Sequence, residues 1–487
     1  MASRFFLFNL IGNILPLLIA LIAVPVIAHY GGLDRLGALG MVWALVGYFG
    51  FLDFGLSRVV TRRVAHAAEE HRLPAELTEL RGFLWWWALP ALLLITIALV
   101  AALPLLLPYL PAGELGREVE RGWAWMMWSI PVTLATNWLR GALEGVQRFV
   151  RVNILRTVFG AWTYAAPAAA LFIAPTLDAM IIAIAIGRLL ALAAHVWACL
   201  QVERAIIFGP TPCRARSVPM FFQEGGWITI SSLVSPLMVY FDRFLLAAML
   251  PVRAVAWYVT AHEVMLRSVM IPASLAAVLF PKFAGATTGA TDNKPVVMLY
   301  QRGIRSVSAL MLPLCVLAAV AGYDAMRLWM GEDFARNSHR VIEIVAIGVF
   351  FNSIAQLPFA WLQGVGRSDL TAKLHVAELP LYAAGLFFCV SQWGILGAAW
   401  MWTLRVTVDC IVLLRLASPA TASATTAVGL AGAALIFVVG LLSGPAWSWQ
   451  WRLANAVVAL LVAGACAWSA LLAPEDRQQV LRFRNAH

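Results

Sequence analysis

Apolar residues run along this chain in blocks of about twenty, separated by short polar stretches. The blocks lack the two-residue alternation of half-buried strands and the ten-residue segments of membrane barrels, so they predict helices. About 14 are long enough to cross ~30 Å of hydrocarbon. They run approximately from Leu7 to His29, Leu36 to Ser57, Gly82 to Leu107, Gly122 to Gly141, Thr157 to Ala174, Leu177 to Leu200, Gly225 to Leu246, Ala254 to Phe280, Gly303 to Tyr323, Val341 to Leu362, Leu374 to Gln392, Ile395 to Leu414, Thr425 to Ser443 and Leu453 to Leu472. The fifth and sixth are divided only by Pro175 and Thr176. The first carries Asn9, Asn13, Pro16 and Pro25 and precedes many others, which predicts an uncleaved helix rather than a signal peptide.

Composition agrees with an all-α integral membrane protein. Of 487 residues, 62% are hydrophobic and 12% charged, against about 25% charged in soluble domains. The net charge of +10 is not gathered into a nucleic-acid-binding patch. With the N-terminus inside, roughly 23 of the 35 Lys and Arg fall in cytoplasmic segments, a positive-inside bias that places both termini in the cytoplasm. The six cysteines form no C-x-x-C pair and lie mostly in apolar blocks, as small buried side chains rather than metal ligands. Trp85, Trp86, Trp87, Trp447, Trp449 and Trp451 sit at block edges, where an indole anchors a helix at the interface.

An internal repeat divides the chain. Trp138-Leu-Arg-Gly141 ends the fourth block and Trp361-Leu-Gln-Gly364 the tenth; Arg188 and Arg405 give a looser match. An offset of six spans keeps both halves in one orientation, a parallel pseudo-two-fold along the membrane normal. The expected organisation is a six-helix lobe over residues 1–205, a cytoplasmic linker at 206–220, a second six-helix lobe over 221–416, and two extra helices with a cytoplasmic tail at 417–487.

No metalloprotease H-E-x-x-H, phosphate-binding P-loop or G-x-S-x-G elbow occurs. The longest hydrophilic stretches, read as loops near Arg62 to Arg81, Val202 to Met220 and Gly285 to Val297, are too short for a catalytic domain. The chemistry therefore lies in ionisable residues at membrane depth, which are costly and face bundle interiors or wet cavities. Arg188, Arg243, Arg267 and Arg405 are candidates for contact with an anionic cargo, because a guanidinium fork offers a phosphate two hydrogen bonds at once. Asp53, Asp242, His262, Glu263 and Asp409 are candidates for gating or coupling. Glu263 with Arg267, and Arg405 with Asp409, are spaced i, i+4 and can instead be neutralised structural pairs. Asp242 and Arg243 are adjacent and can fasten or gate the outer side. Arg58, Arg62 and Arg148 are candidates for cytoplasmic entry, or simply touch anionic headgroups.

Several stretches together resemble Wzx-type polysaccharide flippases. They are Pro25-Val-Ile-Ala-His-Tyr-Gly-Gly32, Gly47-Tyr-Phe-Gly-Phe-Leu-Asp53-Phe-Gly55, the run Leu139 to Asn153 containing Glu144 and Arg148, Ser235 to Arg243, Leu279 to Phe283 and Leu362 to Asp369. The resemblance spreads over both halves. It implies the multidrug/oligosaccharidyl-lipid/polysaccharide exporter superfamily, with two six-helix lobes around a central cavity. It also implies a flippase moving undecaprenyl-diphosphate-linked oligosaccharide repeat units across the bacterial inner membrane by alternating access. It directs attention to Asp53, Glu144, Arg148, Asp242 and Arg243.

The expected partners are the lipid-linked oligosaccharide, membrane lipids, and polysaccharide polymerase and chain-length proteins. No cofactor is expected, and coupling to a proton or sodium gradient stays open. The other readings are a cation-coupled multidrug exporter of the same fold, a lipid II flippase, or a membrane glycosyltransferase or polymerase. The first helix block lacks the acidic residue of many drug exporters, and no outer loop is large enough for a transferase.

Overall fold

A computed structural model of the chain describes residues 15–51, 56–70, 72–109, 113–212, 238–285, 294–417 and 419–471. Every regular element among them is helical. Among the described residues, seven helices are long and apolar enough to cross a membrane, and Leu15–Gly31 and Thr425–Leu441 are shorter apolar helices. The chain is a multi-pass membrane protein. Helix is the expected solution, since hydrocarbon offers backbone groups no hydrogen bonds.

The first compact unit covers Met1–Arg243. It contains α1 (Leu15–Gly31), α2 (Leu33–Phe51), α3 (Leu56–Glu69), α4 (Leu73–Ala101), α5 (Glu114–Gly145), α6 (Phe149–Ala170) and α7 (Leu177–Val202). Here α5 is the hub, packed on α2, α3, α4 and α7. Its contact with α3 is close because Gly141 and Gly145 face it. A Cβ on Gly141 would come within 2.6 Å of the Ser57 carbonyl oxygen, and one on Gly145 within 2.7 Å of Val64. This is the small-xxx-small spacing that lets membrane helices approach backbone to backbone.

The polar stretch from Arg62 to Arg81, expected as a loop, is instead the end of α3, a short turn and the start of α4. Leu56, Val59, Val60, Val64 and Ala67 are buried along α3, so a helix period underlies its polar surface. The third apolar block is likewise displaced: α4 begins at Leu73 and ends at Ala101.

The second unit, Phe244–His487, begins inside α8 (238–249). It continues with α9 (Val252–Leu266, a 3-10 turn at Arg267–Val269, then Met270–Gly285), α10 (Lys294–Met330) and α11 (Glu332–Gly364). The helical run Ser368–Ala417 is interrupted at Gly394, with φ 55 and ψ −133, giving α12 (368–393) and α13 (395–417). Then follow α14 (Pro419–Leu441) and α15 (Trp449–Cys466). In α11, 89% of the most apolar window is buried, against 17% in α4. A helix apolar all round belongs at the centre of its bundle, and α11 is packed by α9, α10, α12, α13 and α14. Arg452 fastens α15 to α10. It donates to Asp324 Oδ1 at 3.0 Å and to the Trp447 carbonyl at 3.0 Å, and stacks 5.0 Å above the Tyr323 ring.

The two hub helices begin and end alike. Each is preceded by a positive-φ glycine, Gly113 (φ 84) and Gly331 (φ 93), followed by glutamate. Each ends in a Schellman motif. At the end of α5, Gln147 (φ 60) donates to Glu144 O at 2.9 Å and Arg148 N–H to Leu143 O at 2.9 Å. At the end of α11, Gly366 (φ 77) donates to Gln363 O at 3.1 Å and Arg367 N–H to Leu362 O at 2.8 Å. These bonds pair Gly145-Val-Gln-Arg148 with Gly364-Val-Gly-Arg367, so the counterpart of Trp361-Leu-Gln-Gly364 lies one helical turn beyond Trp138-Leu-Arg-Gly141.

Candidate functional site

The first unit holds a cavity of about 170 Å³ whose polar wall comes from three helices. Helix α5 supplies Thr133, Asn137 and Arg140, α6 supplies Arg156, and α7 supplies Arg188 and His195. The stripes are regular: 133, 137 and 140 on α5, and 188 and 195 on α7, spacings that return to one helix face. Thr133 turns its hydroxyl to the Ser129 carbonyl (2.7 Å), and His195 Nδ1 lies 2.8 Å from the Ala191 carbonyl, so each satisfies its own helix. Three guanidinium groups line the space. The carboxylate beside them is Glu144, 3.7 Å from Arg140 Nε. Arg188 has no ion pair among the described residues and is half-buried. The wall is therefore net positive and offers planar donors to an anion. The volume suits roughly five waters, at about 30 Å³ each, or a phosphate group.

Of the sequence candidates, Arg188 lines this cavity. Arg140 and Arg156 were missed because each lies near a block edge and reads as a topology charge. The signal that could have found them is the polar stripe on α5.

The other candidates lie elsewhere. Asp53 and the side chain of Arg58 are outside the described residues. Arg62 lines a second, larger cavity of about 670 Å³ with Arg63, His66, Arg72, Glu76 and Glu79, on α3, α4 and the turn between them. There Arg63 pairs with Glu76 and lies 3.6 Å from Glu79, so the charge of this wall is partly cancelled. The Arg148 side chain is exposed beyond the end of α5.

Asp242 and Arg243 are both buried in α8. Asp242 Oδ1 accepts the Arg243 backbone N–H at 2.8 Å, and the Arg243 guanidinium lies 4.9 Å from the Tyr240 ring centroid. His262 is fully buried between the ring of Tyr258 (5.3 Å, stacked) and that of Trp402 (4.6 Å, edge-on). Glu263 and Arg267 make the i, i+4 contact at 3.3 Å.

Arg405 and Asp409 do not pair as their spacing allows. Arg405 turns to the Tyr382 ring, 5.1 Å away, and Asp409 instead lies 3.7 Å from His375 Nε2 on α12. Among the described residues no group of three His, Cys, Asp or Glu side chains is arranged to hold a metal ion.

Comparison with known proteins decides the family. A family model described as polysaccharide biosynthesis protein matches residues 4–286. The chain belongs to this family. A Shigella flexneri protein, provisionally named an O-antigen transporter, is 30% identical over 410 residues, covering 83% of this chain and 95% of that protein. Two solved structures share the fold. The lipid II flippase MurJ in an inward closed conformation aligns with a TM-score of 0.71 at 12% identity, over 96% of this chain and 99% of that one. An inward-facing multidrug resistance transporter of the MATE family aligns with a TM-score of 0.69 at 14% identity, over 86% and 99%. This member of the polysaccharide biosynthesis family is a membrane transporter of the Wzx type, not an enzyme.

Proposed function

We propose that the protein is a flippase that carries undecaprenyl-diphosphate-linked oligosaccharide repeat units across the bacterial inner membrane for surface polysaccharide synthesis. The observation that carries this reading is the arginine-lined cavity of the first unit, with Arg140, Arg156 and Arg188 on three different helices. A diphosphate cannot cross hydrocarbon without losing its hydration. A wet cavity lined by guanidinium groups replaces those hydrogen bonds, while a polyprenyl tail stays in lipid. The 30% identity to the Shigella protein supports the cargo class.

In this reading 14 helices form two six-helix lobes, residues 1–205 and 221–416, related by a parallel repeat. The matched ends of α5 and α11 support that relationship. The last two helices are an addition, and both termini are cytoplasmic. The lobes alternate access to the two sides of the membrane, coupled to an ion gradient. Polymerase and chain-length proteins take up the flipped unit.

The test is deletion of the gene in a strain without a redundant flippase. Surface polysaccharide is lost and the lipid-linked repeat unit accumulates in the cytoplasmic leaflet. Unchanged polysaccharide refutes the reading. Plasmid-borne wild type restores the polysaccharide, and Arg188→Ala at equal protein level does not.

A further inference from the structure

In the second unit, α12 and α13 bring together a polar cluster that the cargo cavity does not use. On α12 it comprises His375, Glu378 and Tyr382, spaced three and four residues apart and so on one face. On α13 it comprises Arg405 and Asp409. Glu378 is the unusual member. It is 8% exposed, and both carboxylate oxygens are fully buried without a hydrogen-bond partner among the described residues. Asp409 and Arg405 are the charged groups close enough to act on it. Asp409 Oδ1 is also buried without a hydrogen bond, with His375 Nε2 3.7 Å away.

Among the described residues, no charged group other than Asp409 and Arg405 acts on Glu378. Helix α11 presents Phe359, stacked at 6.0 Å on the His375 ring. Helix α10 presents Tyr300, whose neighbour on α13 is Cys410. Helix α9 presents His262, which is enclosed by Tyr258 and Trp402.

Two carboxylates and one guanidinium, with a neutral imidazole, leave one uncompensated negative charge at membrane depth. An isolated buried carboxylate neutralises by taking up a proton. Arg405 can balance only one of the two acids. Asp409 is four residues from Arg405 on the same helix and has His375 at its edge. Glu378, with no donor on either oxygen, is the acid left over.

We propose that Glu378 is a proton-binding site, carrying one proton in this closed arrangement and releasing it when α12 and α13 part and water enters. The Arg405 charge offsets that of Asp409 through space, without an ion pair between them, so a second negative charge on Glu378 is left uncompensated, and His375, 3.7 Å from Asp409, is its positioning residue. The cluster is not a coordination shell, since no three acidic, His or Cys side chains converge as metal ligands among the described residues. One proton per cycle would energise the transport proposed above, and the proposal rests on that reading only for what the proton drives.

The proton can be seen without any cargo. Infrared spectra of the purified full-length protein in liposomes should show a carboxylic-acid C=O band that persists at neutral pH. Glu378→Gln should remove it with the protein still folded. Asp409→Asn should remove the competing charge and let Glu378 ionise, so it too should lose the band. Absence of the band in wild type, or its survival in Glu378→Gln, overturns the proposal whatever the cargo. The second readout uses vesicles loaded with lipid-linked oligosaccharide. An imposed pH gradient should raise the flipping rate of wild type several-fold. In Glu378→Gln the stimulation should vanish while exchange without a gradient continues. Stimulation equal to wild type in Glu378→Gln would overturn the proposal as well.

Discussion

Glu118 on α5 receives two hydrogen bonds from Arg35 on α2, from Nε at 2.8 Å and Nη2 at 2.5 Å, with its side chain fully buried. One carboxylate oxygen also accepts the Leu177 backbone N–H at 2.9 Å. That amide opens α7, where no earlier turn supplies an acceptor. A single carboxylate thus joins the starts of three helices. Removing one partner of a buried pair costs about 3–5 kcal/mol. Glu118→Ala should lower the thermal midpoint in detergent sharply, and Glu118→Gln by less, because an amide oxygen still accepts the α7 amide. Equal midpoints for Glu118→Ala and wild type would show that the junction is not limiting.

The α3–α5 contact should resist even a methyl group at Gly145, and larger side chains more strongly. A Cβ there already overlaps Val64, and Gly141 has a backbone carbonyl in the way. Overpacking of this kind costs about 1–3 kcal/mol. Gly145→Val should reduce folded protein on size exclusion, and Gly145→Ala should be tolerated better.

In the first-unit cavity, Arg188→Ala and Arg156→Ala should each weaken cargo binding about tenfold or more, following the ~1.5–3 kcal/mol of a charge-assisted hydrogen bond. Lysine should rescue only in part, since it lacks the planar fork. Binding of a soluble diphosphate to the purified protein checks this. If Ala variants of both arginines bind as wild type does, the cavity is structural.

Glu114 at the start of α5 carries a pH dependence of known sign. Hydrogen bonds from Arg117 and then Arg121 hold its carboxyl below the usual range. A depressed folded-state pKa gives stability that is complete above the unfolded value and lost as pH falls through the folded one. Arg117→Ala should move the acid limb of the stability curve to higher pH. The effect will be small because the group is exposed.

The long apolar helices among the described residues were legible because lipid imposes length and apolarity on each helix separately. The division between the fifth and sixth blocks is the turn between α6 and α7, and the gap between Gln392 and Ile395 is the break at Gly394. The α3–α4 hairpin was hidden, since its polar surface outweighs a single buried stripe in any hydropathy window. Spacing suggested that Arg405 pairs with Asp409, but spacing cannot see His375 arriving from α12. The meeting of Arg140, Arg156 and Arg188 depends on how three helices pack, which no one-dimensional pattern records. The matched letters of Trp138–Gly141 and Trp361–Gly364 fall one turn out of step with the matched helix ends, because letters carry no information about which residue turns left-handed.

The lengths of α5 and α11 have a geometric consequence. At 32 and 33 residues and 1.5 Å per residue, they are roughly 48 and 50 Å long, while the hydrocarbon layer is about 30 Å thick. Some three turns of each rod therefore stand in water or among headgroups. Each hub is therefore longer than the layer it crosses, and its opening turns, with Glu114 and Glu332, have room among water and headgroups while the apolar length stays in lipid.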